Sequence, residues 1–247
     1  MLLMNRPAVP MHLPTQDGRP GALIFDVDGT MYLQAPVRLR IAMKLLAAAA
    51  TSPPDGLATV RILRAYRRAQ ESLRGCLDPA RKGPLDDAQL RVAADATGEP
   101  VARVAASVER WMVREPLPLL ARHVRVGLVP LLDAASRAGI AIGVVSDYPA
   151  AEKLEALGVS RYIGALVTAQ DPEVQRFKPD PRGLVVTLNR LGVAADRAIY
   201  FGDRLDVDAV AAERAGVAYV LVGRRRRQPR HPVVRDFEEA RRLLCLE

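Results

Sequence analysis

Ala22-Leu23-Ile24-Phe25-Asp26-Val27-Asp28-Gly29-Thr30 is a short apolar run that ends in two carboxylates, a glycine and a hydroxyl. Apolar residues at every position, bounded by turn formers, predict a strand buried on both faces, as in a parallel sheet. The acids then sit at the C-terminal end of that strand, where open α/β sheets bind their ligands. In an extended chain, residues two apart project to the same side. Asp26 and Asp28 can therefore converge on one site, while Val27 points away and Gly29 lets the chain turn. Two carboxylates at one strand mouth need a cation, a proton or a division of labour to offset their repulsion. Read by itself, the stretch also fits a strand followed by an ordinary Asp-Gly turn.

Three later segments bear on that choice. After a helical stretch at 128–138, a second apolar run, Ile140-Ala141-Ile142-Gly143-Val144-Val145, ends in Ser146-Asp147. Arg176-Phe177-Lys178-Pro179-Asp180-Pro181 puts a lysine just ahead of a proline-started helix. Ala198-Ile199-Tyr200-Phe201 then runs into Gly202-Asp203-Arg204-Leu205-Asp206-Val207-Asp208, a third strand ending in acids. A last core strand is predicted at 217–222. Strand and helix alternate across 120–223, the pattern of a doubly wound parallel sheet.

These four segments, in this order, resemble the motifs of the haloacid dehalogenase (HAD) superfamily of aspartate-nucleophile phosphohydrolases. The resemblance covers residues 20–223 and rests on Asp26-Val27-Asp28-Gly29-Thr30, Ser146, Lys178-Pro179-Asp180-Pro181, and Gly202-Asp203 with Asp208 five residues on. It implies an α/β fold with a doubly wound, Rossmann-like parallel-sheet core. It further implies that Asp26 and Asp203 supply carboxylates to Mg²⁺ and that Asp28 supplies its backbone carbonyl. Asp26 would be the nucleophile, forming an aspartyl-phosphate, and Asp28 the acid and then the base. Thr30 and Ser146 would donate hydrogen bonds to phosphate oxygens, and Lys178 would hold positive charge against Asp26 and the transferring group. Asp208, five residues after Asp203, is the candidate partner of Lys178 or of a metal-bound water, whereas Asp206 reads as a helix N-terminal acid favoured by the macrodipole. The dehalogenase branch lacks an acid at the position of Asp28, because halide leaves without a proton, so phosphoryl chemistry is favoured.

Physical chemistry runs parallel to that resemblance. A phosphate monoester carries about two negative charges near neutral pH, so a carboxylate approaches its phosphorus only when positive charge neutralises both. Mg²⁺, an oxygen-seeking ion that bridges carboxylates to phosphate, suits that task. The chain holds only four lysines, Lys44, Lys82, Lys153 and Lys178, against thirty-two arginines. A lysine at the third motif of so arginine-biased a sequence points to a need for a compact point charge that guanidinium does not meet.

Between the first two motifs the pattern changes. Residues 37–50, 55–76 and 86–112 carry apolar residues at helical spacing among arginines, with Pro53-Pro54 and Gly83-Pro84 as punctuation and Pro116-Leu117-Pro118 at the return. This predicts an all-helical cap domain at 37–118, matching the superfamily's first cap class, inserted into a core formed by 20–36 and 119–247. Residues 1–19 read as a loose tail. A cap over a strand mouth excludes water and contributes substrate contacts; a rigid helical domain without gating is the alternative. Arg64, Arg67 and Arg68 are its candidates for binding an acidic leaving group, with the flap at 31–36 as another place where substrate choice could lie.

At 247 residues and 49% hydrophobic content the chain can bury a sizeable core, filled mainly by Ala, Leu and Val because aromatics are only 4%. No stretch reaches the roughly 18 apolar residues of a membrane span, and the proline-broken N-terminus is not expected to be a signal peptide. Two cysteines, Cys76 and Cys245, without metal-ligand spacing fit a reducing, cytoplasmic setting. The formal charge of +8 and the run Arg224-Arg225-Arg226-Arg227 raise nucleic acid as a partner, but no aromatics interleave the run and no nucleic-acid motif accompanies it. A sticky solvated loop is the preferred reading, and a small phosphorylated metabolite the expected partner. The functions in view are a Mg²⁺-dependent phosphatase, a sugar phosphomutase with the same nucleophile, and an anion-binding scaffold without turnover. A scaffold has no evident need for Asp26, Asp28, Lys178 and Asp203 together.

Overall fold

In the computed structural model, which describes residues 19–75, 83–223 and 231–246, the opening apolar run is strand β1 (Ala22–Phe25), buried along its whole length. It lies inside a six-stranded parallel sheet with β2 (Ala141–Ser146), β3 (Ala165–Thr168), β4 (Ala198–Gly202), β5 (Ala218–Val222) and β6 (Val233–Val234). The order is β3-β2-β1-β4-β5-β6. The chain therefore winds outward on one side of β1, then crosses back to β4 on the other. Such a reversal opens a crevice at the carboxyl ends of the two central strands. Phe25 is in register with Val144 and with Phe201, so the residues after each strand emerge side by side.

The strand period of two sorts the core into layers. Leu23 and Phe25 pack on one face with Phe201, Leu131 of α6 (Leu128–Arg137) and Phe237 of α10 (Phe237–Leu243). There Phe25 and Phe201 stack at 5.1 Å between ring centroids. Ala22 and Ile24 pack on the other face with Tyr200, Leu184 of α8 (Arg182–Leu191) and Ala212 of α9 (Val210–Ala215). The remaining core helix, α7 (Ala151–Ala156), follows β2. Pro181 precedes α8 as expected. Strands β3 and β6 escape sequence reading because neither has a long apolar run: β3 alternates buried and half-buried residues, and β6 is a two-residue edge.

Between β1 and β2 the described chain is helical: α1 (Gln34–Thr51), α2 (Pro53–Gly75), α3 (Leu85–Thr97), α4 (Val101–Val108) and α5 (Leu117–Leu120). Helix α1 starts earlier than its apolar spacing suggests, because Pro36 fits a first helical turn without needing its missing N–H. The 86–112 pattern is not one helix. Gly98, at φ 72, closes α3 and Pro100 precedes α4, the left-handed glycine stop followed by a proline start. The insert enters and leaves through adjacent segments: Tyr32 bridges Val124 in antiparallel fashion, and Leu33 N donates to His123 O at 2.8 Å. No helix among the described residues is long and apolar enough to cross a membrane. Residues 1–18, Cys76 and the Arg224 to Arg227 run lie outside the described residues.

Candidate active site

Asp26 leaves β1 with its backbone N–H bonded to Phe201 O at 2.9 Å, which ties the strand mouths of β1 and β4 together. Its carboxylate is buried and receives the Lys178 ammonium at 2.5 Å and the Thr30 hydroxyl at 3.1 Å. Lys178, also buried, donates to Asp208 at 2.7 Å and to the Tyr200 hydroxyl at 3.1 Å, and Tyr200 in turn donates to Asp208 at 3.0 Å. The backbone N–H of Arg204 completes the hold on Asp208 at 3.1 Å. Asp208 is thus the lysine's partner. Asp206 turns away, exposed, into an ion pair with Arg204 at 2.6 Å.

Asp26, Asp203 and Asp208 each bring a carboxylate oxygen within 4.8 Å of the others. Three buried or half-buried acids with one lysine among them leave an excess of negative charge. Burial, reinforced by Asp208 and Asp203, raises the Asp26 carboxyl above its ordinary range despite Lys178. Burial tends to discharge Lys178, but Asp208 and Asp26 outweigh it and keep it cationic. Burial and then Asp208 push Asp203 up to about 6. The donors are all oxygen, the set a hard divalent cation takes, and the residues fit Mg²⁺ on that chemistry. Gly29 makes room for the cluster: it sits at φ 98, and a Cβ there would lie 2.2 Å from Asp203 Oδ2, so both backbone and space require glycine.

A stability consequence follows from Asp203. Its folded value near 6 exceeds the ordinary 3.8, so the native chain keeps a proton that the unfolded chain has released. Its contribution to stability is fully present below about pH 4 and is lost as pH rises through about 6. In metal-free protein, the melting temperature of Asp203→Asn should gain on the wild type between pH 4 and 7 and match it most closely at the acid end. Parallel pH profiles for the two proteins would refute the assigned charge excess.

Asp28 occupies a different environment. Both its oxygens receive the Lys153 ammonium, at 2.8 and 2.6 Å, and Tyr32 donates its hydroxyl to Oδ1. Burial alone would raise this carboxyl, but Lys153 and Tyr32 reverse that and lower it. Tyr32 is pushed up, by burial first and then by Asp28, and stays a donor. Arg125, in the segment that returns from the insert, donates to Thr30 O at 2.8 Å and to Gly29 O, pinning the turn. Ser146 is buried at the β2 mouth, its hydroxyl oxygen accepting the Tyr148 N–H at 3.2 Å.

The next residue, Asp147, joins the helical insert to the core. Oδ1 accepts the Lys178 backbone N–H at 3.0 Å, while Oδ2 accepts Arg74 at 2.7 Å and Gln70 at 3.2 Å, both from α2. Arg74 also donates to Lys178 O at 2.6 Å. Tyr148 donates to Gln70 at 2.7 Å and packs in the insert's own apolar cluster beside Tyr66. Gln70 and Arg74 of α2 thus meet Asp147, while on the same helix Glu71 pairs with Arg204 at 3.5 Å and Leu73 packs by Phe177. Of the three arginines expected to bind substrate, Arg64 and Arg68 line a groove of about 390 Å³ between α2 and α3, on the opposite side of the helix. Arg67 lies by Arg38 and Tyr148.

The structure therefore brings Asp26, Thr30, Lys178, Asp203 and Asp208 into one cluster, with Ser146 at the neighbouring strand mouth. It adds Lys153, Tyr32, Tyr200, Asp147 and Arg125, which motif reading passes over. Lys153 carried a usable signal: the scarcity that singles out Lys178 applies equally to it. Of the three described lysines, Lys153 and Lys178 are buried, whereas Lys44 forms a surface pair with Glu115.

A family model for haloacid dehalogenase-like hydrolases matches residues 20–216. The chain is 34% identical over 206 residues to the phosphoglycolate phosphatase of Rhodospirillum rubrum, covering 82% of this chain and 79% of that one. It is 29% identical over 229 residues to the glyceraldehyde 3-phosphate phosphatase of Methanopyrus kandleri, covering 88% and 91%. Among solved structures, a HAD phosphatase from Thermococcus onnurineus aligns with TM-score 0.60 and 23% identity over 92% of this chain and 98% of that one.

Proposed function

The chain belongs to the haloacid dehalogenase-like hydrolases, in which it is a phosphoric monoester hydrolase, and we propose that it is a Mg²⁺-dependent phosphatase of a small phosphorylated metabolite working through an aspartyl-phosphate. The observation that carries this reading is the convergence of Asp26, Asp203 and Asp208 around Lys178 in the crevice between β1 and β4. The relatives named for phosphoglycolate and glyceraldehyde 3-phosphate support a small substrate.

Mg²⁺, when held by the carboxylates of Asp26 and Asp203 and the Asp28 backbone carbonyl, would supply the positive charge that lets a carboxylate meet a phosphate dianion. Lys178 neutralises Asp26 and, fixed by Asp208 and Tyr200, does so without reorganising during the reaction. Thr30 and Ser146 orient phosphate oxygens through their hydroxyls. Asp26 attacks phosphorus, and the bond to the leaving oxygen breaks. The charge of the arriving substrate raises the proton affinity of Asp28, which takes up a proton from solvent as the substrate binds, gives it to the leaving oxygen and then, as carboxylate, takes one from the water that opens the aspartyl-phosphate. Residues 37–118 act as the cap, with α2 covering the crevice through Gln70 and Arg74.

The test is release of inorganic phosphate from a panel of phosphomonoesters, with an activated aryl phosphate alongside. Asp28→Asn should lose on the order of 10²- to 10⁴-fold on alkyl esters and much less on the aryl ester, whose leaving group needs no proton. Equal loss on both would remove Asp28 from proton transfer. Transfer of label back to a sugar phosphate without net phosphate release would instead favour a mutase.

A further inference from the structure

Lys153 has no part in the reaction as written above, yet its buried ammonium lies 2.8 and 2.6 Å from the two oxygens of Asp28. It projects from α7, which begins five residues after the β2 mouth at Ser146. Asp28 belongs to the turn after β1, 125 residues away in sequence. Tyr32 grips the same carboxylate from the linker into the insert, and that linker is itself fixed by the Tyr32 to Val124 bridge. The side chain of an aspartate at a turn has two free torsions, and rotation about either moves its oxygens away from a reacting atom. Here both oxygens are held by a cation from one element and Oδ1 also by a hydroxyl from another.

We infer that Lys153 is a positioning residue for Asp28: it fixes the orientation of the carboxylate so that the proton is delivered to the leaving oxygen and removed from water along a set direction. The inference rests on the reading of Asp28 as the proton carrier. A lysine suits the role because its ammonium is a compact group that can meet two oxygens of one carboxylate at the end of a flexible stem. A purely structural role, pinning α7 to the β1 turn, would affect all substrates alike. Positioning of a proton carrier would not, because only esters with poor leaving groups depend on that proton.

The experiment compares kcat and KM for one alkyl phosphomonoester and one activated aryl phosphate in wild type, Lys153→Met, Lys153→Arg, Asp28→Asn and the Asp28→Asn/Lys153→Met double variant, with thermal melts as the folding control. Lys153→Met should lower kcat on the alkyl ester on the order of 10²-fold, the cost of misplacing a catalytic group by about an ångström, with little change in KM and a much smaller loss on the aryl ester. In the Asp28→Asn background the same substitution should add nothing. Lys153→Arg keeps the charge but moves its centre, so it should show an intermediate loss with the same skew between substrates, and it decides the matter if Lys153→Met fails to fold. Parallel losses on both esters, or an additive effect in the double variant, would overturn the inference while leaving Asp28 its role. An Asp28→Asn protein without skew would overturn the reading of Asp28, and the role of Lys153 with it.

Discussion

Asp26→Asn should abolish turnover, by on the order of 10⁴-fold or more, and yield a protein that melts no lower than the wild type in the absence of metal. The amide cannot form the acyl-phosphate, so the loss should appear on alkyl and aryl esters alike, unlike the selective loss at Asp28. Stability moves the other way because burial, Asp208 and Asp203 already disfavour the ionised Asp26 carboxyl in the folded chain. A neutral isostere relieves that repulsion, and Lys178 keeps Asp208 at 2.7 Å and Tyr200 at 3.1 Å as partners. Active sites commonly carry such a stability cost. Retained activity would dismiss Asp26 as nucleophile, and a clearly lowered melting temperature would show that the charge excess had been misjudged.

Excess chelator should bring turnover to background, and Mg²⁺ should restore it. In the proposed mechanism Asp26 and Asp203 act ionised, yet both are held above their ordinary range; a divalent cation would reconcile the two. The same ion should stabilise the native state, since the unfolded chain does not gather these acids. At a hundredfold excess over Kd the gain is about 2.7 kcal/mol, or about 5–11 °C in melting temperature for a chain of this size. Equal rates in chelator and in Mg²⁺ would sink the mechanism, and a melting temperature indifferent to Mg²⁺ would place the ion elsewhere.

The parts of the site that sequence reveals are those whose chemistry is local. Asp26, Asp28, Gly29 and Thr30 share one strand mouth, and Gly202 to Asp208 another, so strand spacing and a turn bring each group together before any tertiary contact is considered. Lys178 is legible through its place in the third motif, with its scarcity as support, and the insert through its helical period. The grip on Asp28 was illegible because Lys153 meets it only after the sheet has been wound. Tyr200 looked like one more apolar residue of a buried strand, although its hydroxyl links Lys178 to Asp208. Arg64, Arg67 and Arg68 lie within five residues on one helix, and only the docking of α2 decides which side faces the core. Periodicity identifies faces of a helix but does not say what each face meets.

Asp147 has a consequence for how such a protein changes over evolutionary time. One carboxylate serves the backbone of Lys178 with one oxygen and Arg74 and Gln70 with the other. Coupling through a shared group is reciprocal in free energy: whatever draws α2 off Asp147 also loosens the lysine, and whatever steadies the lysine also holds α2. Mutations of the insert that admit a new metabolite at the expense of Arg74 or Gln70 would thus carry a penalty in the chemical step. On the proposed role of the insert, drift in substrate preference would be cheapest at positions such as Arg67, which flank this joint without belonging to it.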